Sequence, residues 1–290
     1  MSLQSNTISK AAASRRAMRL LLLGVLAMTW FSLAPAANAE PGDPCGKPYN
    51  PAVNASDFQA ADGAHNVIDN PYYPLRPGTT FVYDGKSEGR AERGVLLVTH
   101  DTKVILGVTT TVIRDEVTIE GKRVELTYDW YAQDDAGNVW YFGEYSTDYD
   151  ENGKVSSHQG SWEAGVDGAK PGIVMQAQPT GGDVYRQEYY RNEAEDVGAV
   201  IGADNSTTVP FGTFNDVLQT KETSCIAPLQ EYKYYAPGSG LILAKAINSD
   251  ETLELVEVRT DYMPGALPPA GGGWSAKHTQ NSRWWFPTLR

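Results

Sequence analysis

From residue 79 to residue 262 the chain has no long run with apolar residues spaced three and four apart. It offers instead short stretches rich in Val, Thr, Tyr and Ile, each broken by turn residues. The first pattern would let a helix bury one stripe; the second is what strands need, so this region is expected to be β-structure throughout. Residues 95–99, 103–106, 109–119, 123–133, 139–145, 155–158, 184–190, 197–201, 207–209, 216–223, 231–235, 241–247 and 252–259 read as strands. Joined by tight turns, they predict an all-β fold: a single large antiparallel meander, half-barrel or barrel-like, with one long covering loop. Residues 187–200 are ambiguous, because Glu193-Ala194-Glu195-Asp196 also suits the start of a helix.

One turn sets a register. Asp134-Asp135-Ala136-Gly137-Asn138 suits a type I turn closed by Gly137 in the left-handed conformation, which glycine adopts at little cost. It pairs Trp130 with Phe142 and Tyr131 with Tyr141. Side chains alternate along a strand, so one face then carries Leu126, Tyr128, Trp130, Trp140, Phe142 and Glu144. The other carries Asp129, Tyr131, Gln133 and Tyr141, which places Asp129 and Glu144 on opposite faces. A second turn, Asp150-Glu151-Asn152-Gly153-Lys154, is a hairpin signal of the Asn-Gly kind.

The ends differ from the middle. Residues 1–39 hold Lys10, Arg15, Arg16 and Arg19 with no acidic residue, then the apolar run Leu20 to Phe31, then Ala37-Asn38-Ala39. A basic start, an apolar core shorter than the roughly 20 residues that span a bilayer, and a small-x-small site together predict a removable secretory signal peptide. Ser14-Arg15-Arg16-Ala17-Met18 partly matches a twin-arginine signal. The remaining boundaries follow as an extended N-terminal segment, 40–70, a β domain, 71–262, and a Pro/Gly-rich tail, 263–290, with Trp284-Trp285-Phe286 near its end.

Removing four basic and no acidic residues from a chain with 24 basic and 36 acidic ones takes the formal charge from −12 to −16. A field of that sign repels nucleic acid and anionic membrane surfaces and attracts cations. The expected product is periplasmic or secreted, binds no nucleic acid and has no stable membrane insertion after cleavage. A membrane β-barrel does not fit either, because the strands lack the even ~10-residue alternating series of such proteins. The two cysteines, Cys45 and Cys225, are expected to join in an oxidising compartment.

Chemistry is sparse. Residues 160–172 form a longer connection than the other links, and such connections often serve as lids or binding loops. With Tyr131 and Tyr141 on the facing hairpin, Trp162, Glu163 and Asp167 form the candidate ligand-binding set. Covering one end of the barrel with Trp162 as a plug is the structural alternative. Asp148, Asp150 and Asn152, followed by Gly153, open like a calcium loop, in which alternate oxygens converge on the ion. Gln159 stands where a bidentate Glu belongs, and the flanks read as strands, so a hairpin turn competes with a metal site. A glycosidase needs two carboxylates about 5 to 9.5 Å apart across one cleft, and Asp129 and Glu144 fall on opposite faces in the register above. His65, His100, His158 and His278 form no metal motif, Gly238-Ser239-Gly240 is no nucleophile elbow, and no phosphate loop or dinucleotide fingerprint appears. No cofactor is expected.

The segments Asp129-Trp130-Tyr131-Ala132-Gln133-Asp134, Gly137-Asn138-Val139-Trp140-Tyr141-Phe142-Gly143-Glu144, Gly160-Ser161-Trp162-Glu163-Ala164-Gly165 and Tyr234-Tyr235-Ala236-Pro237-Gly238-Ser239-Gly240 resemble those of a group of uncharacterised bacterial exported proteins, some described as lipoproteins. The resemblance spans residues 70–243 and brings no established activity or site residue with it. Unlike the lipoprotein members, this chain has no anchor Cys. In architecture the meander is similar to periplasmic half-barrels that carry or sense lipids, a likeness of fold that does not name a ligand. The leading expectation is a non-enzymatic binding protein for a small apolar or lipid-like ligand. The alternatives are an acidic protein binding calcium or another divalent cation, and a secreted hydrolase using carboxylates around Glu144 and Glu163.

Overall fold

The computed structural model describes residues 44–58 and 67–260. The expected signal peptide and C-terminal tail lie outside them, as do His65 and His278. After one turn of 3-10 helix at Ala55–Phe58, fifteen strands follow: β1 (Thr80–Ser87), β2 (Arg90–Ile105), β3 (Val108–Ile119), β4 (Lys122–Gln133), β5 (Val139–Tyr149), β6 (Val155–Ser157), β7 (Trp162–Glu163), β8 (Lys170–Met175), β9 (Val184–Arg186), β10 (Glu188–Tyr189), β11 (Asp196–Val209), β12 (Gly212–Ser224), β13 (Gln230–Ala236), β14 (Gly240–Ala246) and β15 (Thr252–Arg259). All pair antiparallel in one sheet of order β10-β8-β5-β4-β3-β2-β1-β15-β14-β13-β12-β11-β9, with β6 and β7 also on the edge of β5. The all-β meander is therefore what the chain builds, and residues 187–200 form no helix.

The two outermost strands, β9 and β10, are consecutive in the chain with only Gln187 between them. Arg186, Tyr185 and Val184 pair with Val197, Gly198 and Ala199 of β11, while Glu188 and Tyr189 pair with Pro171 and Lys170 of β8. One short segment thus joins both ends of the curled sheet and nearly closes it into a barrel. Three residue pairs on one side and two on the other leave the seam thinly bonded. Gly172 is required here, since a Cβ on it would lie 2.3 Å from the carbonyl carbon of Gln187.

A strap crosses this seam from outside. Cys45 is disulfide-bonded to Cys225, just past β12. The neighbouring Pro44 carbonyl accepts from Arg186 Nη2 (2.8 Å), and the Tyr49 hydroxyl donates to the Pro171 carbonyl (3.0 Å). Residues 44–49 are therefore tied to β9 and the β12 end on one side and to β8 on the other.

Several strands were not legible as such. The predicted pieces 95–99 and 103–106 are one strand, β2, with the register slipping between Val98 and Thr102. The polar run Thr99-His100-Asp101 interrupts the alternation and the pairing, but the strand continues through it. Thr99 Oγ1 donates to the Val112 carbonyl (2.7 Å) and accepts from the Asp101 amide (3.0 Å), replacing ladder bonds at the bulge. The pieces 197–201 and 207–209 join in the same way as β11. Strand β8 hides behind Pro171-Gly172, which reads as loop chemistry.

The barrel has an apolar end and a polar end. Residues 67–75 close the apolar end, with Ile68 bridging Leu75 and the Tyr73 ring 5.9 Å from Tyr131 and 6.2 Å from Tyr235. Phe58 packs edge-on against Phe142 at 5.6 Å. Asn70 Nδ2 donates to the carbonyls of Gly137 and Gln176, fastening this plug to the β4–β5 turn and to the residue after β8. The polar end holds the candidate site.

Candidate functional site

The β4–β5 register departs from the expectation at one residue. Tyr131 faces Tyr141 as predicted, but Trp130 pairs with Gly143, not Phe142, because a bulge at Phe142 shifts the ladder. Gly143 allows it with φ of 132°, a conformation costly for other residues. The shift corrects the face assignment: Glu144 lies directly opposite Asp129. Neighbouring strands extend the row, so Ile113, Asp129, Glu144 and Trp162 stand side by side, next to a row of Asp115, Thr127 and Ser146. All seven are buried. A Cβ at Gly143 would meet the Trp162 carbonyl oxygen at 2.3 Å. Gly143→Ala is accordingly expected to lower stability by about 2 to 3 kcal/mol, measured by urea unfolding; a loss below 0.5 kcal/mol would show that the bulge is dispensable.

This row belongs to an acidic belt that runs through the seam. Asp115 (β3), Asp129 (β4), Glu144 (β5), Glu188 (β10), Asp196 (β11) and Glu222 (β12) follow one another around the wall, each at most 2 % exposed. Twelve carboxylates are buried among the described residues, against two cations, Arg186 and Lys233. Neither cation neutralises the β4–β5 part of the belt. Lys233 Nζ is committed to Glu222 (2.6 Å) and Glu231 (3.1 Å). Arg186 is held by Glu195 and the strap carbonyl.

Buried charge without a counter-charge is so costly that a group takes up a proton instead. Burial first, and then Asp115, push Asp129 well above the usual carboxylate range, against the Tyr141 hydroxyl that donates to its Oδ1 (2.8 Å). Burial, Asp129 and Glu188 do the same to Glu144, against the nearby Tyr141 phenol, and neither of its oxygens accepts a hydrogen bond of ordinary geometry. Glu188 is raised by burial and by Asp196; its Oε2 accepts from Trp162 Nε1 (3.1 Å), while its Oε1 is unpartnered. Burial takes Asp196 up to about 8 and, with Glu222 beside it, Glu231 up to about 7 despite Lys233. Beside Glu188, both polar atoms of the buried Gln187 side-chain amide also lack partners.

The structure brings together part of the predicted ligand set. Tyr131 and Tyr141 stack at 4.7 Å, and Trp162 meets Tyr141 edge-on at 5.3 Å. All three rings are buried. The long connection is not free: Trp162 and Glu163 pair with Glu144 and Gly143 as β7. Glu163 and Asp167 sit on the outer side, lining with Ser161, Trp162, Val166 and Tyr190 a cleft of about 140 Å³. Glu163 is bridged to Lys103 (2.8 Å), whose ammonium lies 3.5 Å over the Trp130 ring. Trp162 therefore stands between this cleft and the acidic belt, touching both.

The predicted metal set is not brought together. Asp148 is buried on the inner face opposite Glu125, whereas Asp150 and Asn152 are exposed in the β5–β6 turn. Asp150 Oδ1 accepts from the amides of Asn152 and Lys154 (both 2.9 Å), which makes it a turn-former. Those bonds, that of Lys154 first, hold its carboxyl below the usual range. No group of three or more His, Cys, Asp or Glu placed to hold a metal ion occurs among the described residues. No helix among them is long and apolar enough to cross a membrane.

Asp115, Glu188 and Asp196 were not singled out from the sequence. Their only signal is acidic residues among strand segments otherwise rich in Val and Tyr. No known protein family, curated protein or solved structure matches the chain.

Proposed function

We infer that this is an exported, non-enzymatic binding barrel for a small cation, taken up at the cleft beneath residues 160–172. The observation that carries the reading is the uncompensated acidic interior directly behind Trp162. Carboxyl groups on β5 and β10 present acceptors without donors, and a cation in the cleft supplies the missing charge. The rim suits such a ligand, with Asp167, Tyr190 and the Glu163 carboxylate that Lys103 already holds in place among its residues. A small apolar ligand has less support: the apolar cavity bounded by Tyr73, Leu75, Phe81 and Leu241 measures about 20 Å³, roughly one water.

The test uses thermal unfolding with calcium chloride or methylammonium chloride at constant ionic strength, together with native mass spectrometry of protein taken from its own cell envelope. One cation raises the midpoint by several degrees, and the double variant Glu163→Gln, Asp167→Asn, altered only at the rim, loses the shift. A midpoint indifferent to both cations and to chelator, with no co-purifying mass, would refute the reading.

A further inference from the structure

Resting on that reading, we propose that the Asp129–Glu144–Glu188 cluster stores protons while the cleft is empty and releases one to solvent when a cation enters the cleft beside Trp162. Three geometric facts carry the step. The cluster is closed to outside counter-ions, since each of the three side chains is at most 1 % exposed. It contains oxygens that accept no hydrogen bond of ordinary geometry: both of Glu144, beside the Tyr141 phenol, and Oε1 of Glu188. It adjoins the cleft through one residue, because Trp162 is among the residues that line the cleft and its buried indole N–H donates to Glu188 Oε2.

The neighbours leave protons as the neutralising charge. Glu144 faces Asp129 from β4 and Glu188 from β10, with Asp148 and the Tyr141 phenol on its own strand. Asp129 faces Asp115 from β3. Glu188 faces Asp196 from β11 and, more remotely, Lys233 from β13, which is already committed to Glu222 and Glu231. A positive charge in the cleft, separated from the cluster by the buried Trp162, acts across a low-dielectric gap and stabilises an ionised Glu188 or Glu144. The carboxyl O–H bond breaks, its electron pair stays on the carboxylate, and the proton passes to a buffer base. Cation affinity therefore rises with pH, and proton uptake expels the ligand, with coupling equal in both directions.

Isothermal titration of the full-length protein with methylammonium or calcium, at pH 7 in two buffers of different ionisation enthalpy, counts the protons released. Infrared spectra record the carbonyl band of protonated carboxyls before and after cation addition. The expected result is a substantial fraction of a proton released per cation, on the order of one half or more, with loss of that band. Glu144→Gln is expected to reduce both while the protein stays folded, as judged by circular dichroism. Binding without proton release overturns the coupling and leaves the binding reading standing. Failure of both cations to bind removes the reading and the coupling with it, and absence of the protonated-carboxyl band at pH 7 overturns the stored proton independently of any ligand.

Discussion

Removing the Cys45–Cys225 bridge, as Cys45→Ser with Cys225→Ser, lowers the unfolding free energy by about 4 to 5 kcal/mol. The bridge closes a loop of 180 residues, and on chain-entropy grounds a loop of that length constrains the unfolded chain by about that much. The strap makes the loss local as well as global. Cys45 fixes the segment whose Pro44 carbonyl receives Arg186 and whose Tyr49 hydroxyl reaches Pro171, and these contacts span the seam. Arg186 adds cation–π contacts, 5.8 Å from the Tyr49 ring and 4.9 Å from the Tyr189 ring. Once the strap is released, the seam has its own few ladder bonds and little else on the outside. Urea unfolding measures the global loss, and hydrogen exchange of the 184–189 amides relative to those of β3 measures the local one. A loss under 1 kcal/mol with unchanged seam exchange would mean that the strap holds nothing.

The fold was readable from the sequence where alternation and turn chemistry agreed, as in β3, β4 and the Asp134–Asn138 turn, whose Gly137 takes the expected positive φ. It was not readable where one residue changed the count. The bulge at Phe142 moves Glu144 to the face of Asp129, and that slip conceals the central pair of the site. A period of two carries no memory of an inserted residue, so everything beyond a bulge is assigned to the wrong face. Gly143 was the available clue: a glycine inside an aromatic strand marks a bend or a close approach, and here it marks both. Glu188 escaped for another reason. It lies in a two-residue strand whose partner, β8, opens with Lys170, Pro171 and Gly172, and no local pattern announces such a strand.

Closure of the barrel through one shared segment also explains why carboxylates from distant parts of the chain meet. Glu188 and Asp196 are joined by a short turn, with Tyr190 bridging Ala194, and this turn carries the belt from β10 to β11. Asp129 and Glu144 reach the same belt from the other side through β8 and the Trp162 indole. Opening the seam would therefore hydrate the belt, and the stability of the closed barrel becomes a function of the protonation of these groups.

The second large effect is on pH dependence, and its sign is opposite to ordinary acid denaturation. Asp196 moves from 3.8 to about 8 and Glu231 from 4.5 to about 7, while Asp129, Glu144 and Glu188 are also raised, burial being the largest cause for all five. Between the unfolded and folded values the native state holds more protons than the unfolded chain, so stability falls as pH rises. The contribution is complete below about pH 4 and is withdrawn as pH climbs through about 7 to 8. Each pH unit of displacement is worth about 1.4 kcal/mol, so Glu231 alone withdraws on the order of 3 kcal/mol. Lys233, raised through Glu222 and Glu231 against its own burial, loses its contribution only far above this window and does not offset the fall. The midpoint of thermal unfolding is expected to drop by several degrees or more between about pH 5 and pH 8. Glu144→Gln and Asp196→Asn, which cannot ionise, flatten the profile and are more stable than the parent at pH 8, because each removes a group that on folding must either take a proton from solution or bury its charge. A midpoint that rises over the same interval, or variants that weaken the protein equally at both ends of it, would contradict a protonated belt and favour one already neutralised by cations.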